Sequence, residues 1–254
     1  MSIQKNGILI RFPLMSKKEK TPTYPVSFAY FLLSKIAEGI NLGYKCFIFE
    51  ITDSDFNILD FNITEDLIKR INNYLENNIR VGFYIKSKKY LTSDLDSDVK
   101  LARENIEKCL EFTKKIDITD LQEFPIILHI GGAKGDRRKT MEVFCNNIIE
   151  YFKDDIGRLS VVNDEKPSLF SVKDLLSGIF YKIKIPIVFR STSYPTNQGN
   201  LTLNESLFLS ASTWKRNINP LFIYLPGENI LNDTQIRPFG LELDFVFDNI
   251  LPEP

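Results

Sequence analysis

The chain contains a single histidine, His129, placed where the apolar run Pro125-Ile-Ile-Leu-His129 meets the glycine turn Gly131-Gly-Ala-Lys-Gly-Asp136. An imidazole changes charge near neutral pH, so it can act as a general base or hold a divalent metal through a neutral ring nitrogen. Either task needs neighbours. Asp164, in Val162-Asn163-Asp164, and Asp248 are the carboxylates that would join His129 if the chain is catalytic. Other apolar runs end without metal ligands: Pro186–Phe189 runs into Arg190, and Pro220–Leu225 into Pro226. A lone histidine at such a position is more often a hydrogen-bonded structural residue. A residual single-metal ligand or lone base is the alternative.

A second set of residues could bind phosphate. Lys86, Lys88, Lys89, Lys134, Arg137, Arg138 and Arg190, together with Lys17, Lys18, Lys20 and Lys139, fall in segments that follow apolar runs. Gathered on one face, they would form a basic mouth for DNA or RNA. The competing reading is solvated lysine offset by Asp94, Asp96, Asp98 and Asp136. Tyr84, Tyr90 and Tyr194 could stack on bases in that mouth. The glycine turn could cradle an anion, but it lacks P-loop spacing. A turn that lets the chain pass close to the sheet is the simpler reading.

The elements that must position these residues alternate. Strands are expected at Gly7–Phe12, Lys45–Ile51, Arg80–Ile85, Pro125–His129, Arg158–Val162, Pro186–Phe189, Pro220–Leu225 and Leu241–Phe247. Helices are expected at Val26–Gly39, Thr64–Asn77, Ser97–Lys115, Thr140–Phe152, Val172–Tyr181 and Glu205–Trp214. Thr64 is the expected N-cap of its helix. Continuous apolar strands alternating with amphipathic helices imply a parallel sheet covered by helices. Eight of them predict a single (β/α)8 TIM-type barrel over residues 1–254, lacking its last helix. An open doubly wound sheet is the alternative, although no Gly-x-Gly-x-x-Gly turn follows the first strand. In a barrel, the segments after the strands form the functional face.

Composition narrows the rest. The 254 residues are 43% hydrophobic and 26% charged with a net charge of −1, so no global excess of charge favours nucleic acid or membrane. No apolar run has membrane-spanning length. The three cysteines, Cys46, Cys109 and Cys145, are scattered among apolar residues. They read as buried thiols in an intracellular, reducing compartment rather than a disulfide or zinc framework.

An ordered series of segments resembles the UV damage endonucleases. It comprises Leu128-His-Ile-Gly-Gly-Ala-Lys-Gly-Asp136, Phe144, Arg158-Leu-Ser-Val-Val-Asn-Asp164, Ile185-Pro-Ile-Val-Phe189 and Thr213-Trp214. Arg80–Ser93 is similar to the family's arginine-led strand and the loop after it, and Phe49–Ser54 to another family segment. The resemblance implies a metal-dependent barrel, related in architecture to endonuclease IV, that nicks DNA 5′ of photolesions with a cluster of divalent metals.

Carried over residue by residue, that resemblance retains His129 as a family metal ligand and leaves little else. Tyr84 stands at a loop-histidine position, and Val162 at a glutamate. Arg190 stands at an aspartate and Ser193 at a histidine, while Leu221 and Ile223 replace a lysine and a histidine. Arg237 falls near a further histidine position, Asp248 aligns with a last glutamate, and Ser87-Lys88 falls at the lesion-probing pair. A cluster of dications needs several carboxylates and imidazoles. A guanidinium ~4 Å from a single positive charge costs about 4 kcal/mol at an effective dielectric near 20, and more beside a dication.

The expectation is therefore a catalytically degenerate barrel without a bound cofactor. It would act as a nucleic-acid-binding or structural subunit, with DNA, RNA or a larger protein assembly as its partner, and away from membranes. The alternative is an active endonuclease using Mn, Zn or Mg at a reduced site of His129, Asp164 and Asp248. A sugar-phosphate enzyme, with Arg190 and the glycine turn on the phosphate, ranks last for want of an acid–base pair.

Overall fold

Alternation of side chains along eight parallel strands builds two separate cores. The computed structural model describes residues 7–11, 26–118, 120–224 and 244–247. In chain order the elements are β1 (Gly7–Arg11), β2 (Val26–Ser27), α1 (Phe28–Asn41), β3 (Cys46–Thr52), α2 (Asp55–Ile58), β4 (Leu59–Asp60), α3 (Glu65–Glu76), β5 (Arg80–Lys86) and α4 (Asp96–Lys114). There follow β6 (Ile126–Leu128), α5 (Arg137–Phe152), β7 (Leu159–Val162) and α6 (Val172–Leu175), the last continuing through a π turn (Leu176–Phe180) into α7 (Tyr181–Ile183). The chain then forms β8 (Ile187–Arg190), α8 (Leu203–Ala211), β9 (Leu221–Tyr224) and β10 (Asp244–Phe247).

The strands close in the order β1-β10-β9-β8-β7-β6-β5-β3, all parallel. This is the expected TIM-type barrel, and closure removes the unpaired edges an open sheet would carry. The expected absence of a last helix, the Asp248 and Arg237 positions, and Lys17, Lys18 and Lys20 lie outside the described residues.

Within β1, β3 and β5 to β9 every second side chain points into the barrel. Leu9, Ile48, Tyr84, Ile127, Val162, Val188, Leu221 and Ile223 form the inner core. Their neighbours Ile8, Phe47, Phe49, Phe83, Ile126, Leu128, Val161 and Ile187 pack outward under the helices. Each fully buried side chain of this size contributes about 1.5–3 kcal/mol. A one-residue slip of any strand would exchange the two sets, so the pattern fixes the register.

Several boundaries differ from the spacing. Helix α5 starts at Arg137, not Thr140, because Asp136 caps it by accepting the Lys139 N–H at 3.0 Å. Arg137 and Arg138 therefore sit in a helical first turn rather than a loop. Helix α8 starts at Leu203 because Thr202 and Glu205 form a reciprocal capping box, and it ends before Trp214. Thr64 does occupy the N-cap of α3, yet its side chain makes no capping bond. Glu65 and Asp66 instead place negative charge against the positive end of that helix. Val26–Ser27 is not helical; it pairs with Leu59–Asp60 as a two-stranded sheet too short to show periodicity. Among the described residues no helix is long and apolar enough to cross a membrane.

Candidate functional site at the barrel mouth

The inward parity of the strands continues past the apolar layer. On β1, β3, β5, β6, β7 and β8 the next inward residues are Arg11, Glu50, Lys86, His129, Asp164 and Arg190, two positions beyond Leu9, Ile48, Tyr84, Ile127, Val162 and Val188. An apolar floor thus carries a ring of polar and charged groups.

His129 is held on both sides. Its Nδ1 lies 3.0 Å from Asp164 Oδ1, and its Nε2 lies 2.5 Å from the Tyr84 hydroxyl. The ionised carboxylate can only accept, so Nδ1 carries the hydrogen and Nε2 of the neutral ring accepts from Tyr84. Tyr84 is 1% exposed, and burial pushes its phenol well above the ordinary value, an effect the nearby Arg190 charge opposes. Tyr84 is therefore no open stacking platform. Tyr194 is also engaged, its hydroxyl donating to the Leu201 carbonyl at 3.1 Å. Asp164 is buried, and its Oδ2 has no hydrogen-bond partner among the described residues.

Arg190 occupies the opposite wall. Asn163 accepts the Arg190 N–H at 2.7 Å and donates to the Arg190 carbonyl at 3.2 Å. The Arg190 guanidinium meets Glu165 at 3.0 Å. On the far side Glu50, 4% exposed, receives Arg11 and Lys86, each at 3.2 Å. Three cations, Arg11, Lys86 and Arg190, therefore face three carboxylates, Glu50, Asp164 and Glu165. Among the described residues, the inward cations of the mouth thus stand beside carboxylates. Neither Glu50 nor Glu165 belongs to a motif. Glu50 is found only through its inward spacing from Ile48, and Glu165 only through the turn that returns it toward Arg190.

The same pairing extends across the rim. Lys89 meets Asp98 at 2.7 Å, Lys134 meets Asp94 at 2.6 Å, Arg137 meets Asp174 at 3.3 Å and Arg138 meets Glu142 at 3.4 Å. Arg137 also donates to the carbonyls of Pro167 and Ser168. Of the seven basic residues expected to bind phosphate, Lys88 alone has no carboxylate partner for its ammonium among the described residues. Its backbone N–H donates to Asp53 at 2.9 Å.

The segment 87–92 is clamped over the mouth. Ser87 donates to Asp53, Thr92 donates to the Ile130 carbonyl at 2.7 Å, and Asn147 donates to the Leu91 carbonyl at 2.6 Å. Gly131 makes the clamp possible: at φ +112, a Cβ there would lie 2.6 Å from Thr92 Oγ1 and 2.8 Å from the Tyr90 ring. The glycine turn thus lies close to the segment after β5, where the sequence suggests an approach to the sheet.

The positions aligned with lost metal ligands bring no donor set together. Val162 is completely buried in the inner core, where Leu221 and Ile223 also sit. Among the described residues no three His, Cys, Asp or Glu side chains converge to hold a metal ion. Cys46, Cys109 and Cys145 are buried.

Residues 59–235 match the family model UvdE, UV-endonuclease UvdE. A UV DNA damage endonuclease of Bacillus cereus (strain Q1) is 31% identical over 172 residues, which cover 67% of this chain and 52% of the relative. One from Clostridium perfringens (strain 13 / Type A) is 27% identical over 159 residues, covering 61% of this chain and 37% of the relative. The chain thus spans about half or less of the length of these curated relatives. Among solved structures, SacUVDE superposes with a TM-score of 0.68 at 18% identity, covering 96% of this chain and 93% of that one. A D-psicose 3-epimerase from Clostridium cellulolyticum H10 gives a TM-score of 0.58 at 12% identity, covering 98% and 86%, a likeness of fold alone. The extent of the family match, joined to the closed barrel and its ordered segments, places this chain in the UvdE family of UV endonucleases.

Proposed function

We propose that this single-domain UvdE-family barrel has lost metal-dependent strand incision and serves as a non-cleaving nucleic-acid-binding subunit. One observation carries the reading: at the barrel mouth His129, Arg11, Lys86 and Arg190 each already hold a partner, while the buried Asp164 Oδ2 and Glu50 Oε2 have none among the described residues. His129 spends both ring nitrogens on Tyr84 and Asp164, and Arg190 spends its charge on Glu165. This set does not suit a cluster of divalent cations, because each dication would have to displace a hydrogen bond or lie beside a guanidinium. Lys88, with the displaceable rim pairs around it, supplies the backbone-binding chemistry. Exposed ion pairs are worth only about 0–1 kcal/mol, so phosphate can compete for their cations.

The ion pairing of six of the seven basic residues favours a second reading, a structural subunit that meets protein partners and no nucleic acid. One set of measurements separates them. Purified protein is analysed for bound metals, then tested on UV-irradiated duplex DNA with Mn²⁺, Zn²⁺ or Mg²⁺. Salt-dependent binding without nicking and without stoichiometric metal is expected. Absence of binding at low salt selects the structural subunit. Incision abolished by His129→Ala would establish a reduced-site endonuclease and end the proposal.

A further inference from the structure

Helix α4 presents Ala102, Ile106, Cys109 and Leu110 to the barrel as an apolar stripe, and Asn105 interrupts it. Asn105 is 1% exposed, and neither its Nδ2 nor its Oδ1 has a hydrogen-bond partner among the described residues. A carboxamide offers two donors and an acceptor oxygen with two lone pairs. Leaving such groups unpaired in the interior costs about 1–3 kcal/mol each, which is why buried polar atoms are nearly always satisfied.

Asn105 lines a cavity of about 20 Å³ that lies between α4 and the clamped 87–92 segment. Ile85, Leu128 and Phe144 form its apolar walls, while Ser87, Lys89 and Tyr90 contribute polar groups from the segment above. A water needs about 10–15 Å³ and two to four polar partners. The space is too small for a nucleotide or sugar. Among the described residues no group bonds the amide directly. The Ser87 hydroxyl already donates to Asp53 and accepts from the Lys89 N–H, and the Lys89 ammonium holds Asp98. His129 also lines the cavity, but its ring is committed to Tyr84 and Asp164.

We infer that Asn105 is the floor of an internal hydration site, in which one ordered water bridges its carboxamide to the segment 87–92. The ligand class is water, selected by volume and by the simultaneous need for a donor and an acceptor. The bridge ties α4 to the segment that carries Lys88, whose ammonium has no carboxylate partner among the described residues. Asn105 is thus a positioning residue for the mouth. This inference stands whether or not the barrel binds DNA.

Two measurements test it. A high-resolution crystal structure of the unaltered protein should show a solvent peak within hydrogen-bond distance of the Asn105 amide. Absence of such a peak, or density that fits only a crystallisation solute, overturns the inference. In Asn105→Leu, which keeps the number and branching of side-chain heavy atoms and removes the polar ones, backbone amides of residues 87–91 should exchange with solvent about five-fold faster, the effect of losing one net hydrogen bond of ~1 kcal/mol. A variant with equal or higher thermal stability and unchanged exchange also overturns it, because removing a truly unpaired amide relieves a cost. If the variant does not fold, the unaltered protein's solvent structure settles the matter.

Discussion

Asn163 grips the backbone of Arg190 like a neighbouring strand, accepting its N–H at 2.7 Å and donating to its carbonyl at 3.2 Å. This continues the β7–β8 pairing one step beyond Val162↔Val188. It aims the guanidinium at Glu165 rather than at the open mouth. The carboxylate occupies the place a phosphate would take.

Glu165→Gln should therefore release Arg190. Affinity for duplex DNA is expected to rise about two- to five-fold, since an ion pair with a half-exposed partner is worth at most ~1 kcal/mol. Fluorescence anisotropy at fixed ionic strength reads this directly. Unchanged affinity would remove Arg190 from the binding surface.

Lys88 has no carboxylate to release. Lys88→Ala should weaken DNA binding uniformly across sequences and reduce the slope of log K against log salt by about 0.9, the value for one phosphate contact. Lys134→Ala, which breaks a pair with Asp94, should change the slope less. Equal slopes for the two variants would show that pairing does not govern the rim.

His129 is expected to matter for stability. Its removal in His129→Ala leaves the Tyr84 hydroxyl and the Asp164 carboxylate buried without their shared partner. Urea denaturation should show a loss of about 1–3 kcal/mol. A loss below about 0.5 kcal/mol, the range of ordinary surface substitutions, would contradict a structural role.

Tyr84 sets an alkaline limit. Burial raises its phenol above the ordinary value of about 10, so the unfolded chain releases this proton first. Below pH ~10 both states hold the proton and the group adds no pH dependence. Above it the unfolded state binds fewer protons, and stability falls as pH rises. Tyr84→Phe should flatten that fall by up to about 1.4 kcal/mol per pH unit. Parallel stability profiles for the two proteins between pH 9 and 11 would refute the assignment.

Gly131→Ala should loosen the clamp. The new methyl meets Thr92 Oγ1 and the Tyr90 ring, and the backbone is held at positive φ. A loss of about 1–3 kcal/mol is expected, with faster amide exchange at residues 90–92. Gly132→Ala meets nothing within 4 Å and serves as the matched control.

Much of this was written in the linear chain. Continuous apolar runs separated by amphipathic segments imply parallel strands under helices, and eight of them favour a closed barrel over an open sheet. Strand parity places His129 inside, two residues beyond Ile127, and leaves Val162 and Ile223 without donor atoms. These follow from sequence because strand geometry repeats regardless of context.

The partnerships did not follow. That Glu50 collects both Arg11 and Lys86, that Glu165 turns back onto Arg190, and that Tyr84 faces His129 rather than solvent depend on how three turns and six strands meet in space. An electrostatic contact weakens with distance and requires correct orientation, and sequence separation fixes neither. The basic residues that follow the apolar runs could therefore suggest a basic mouth, while only the tertiary structure shows that six of the seven expected there meet carboxylates.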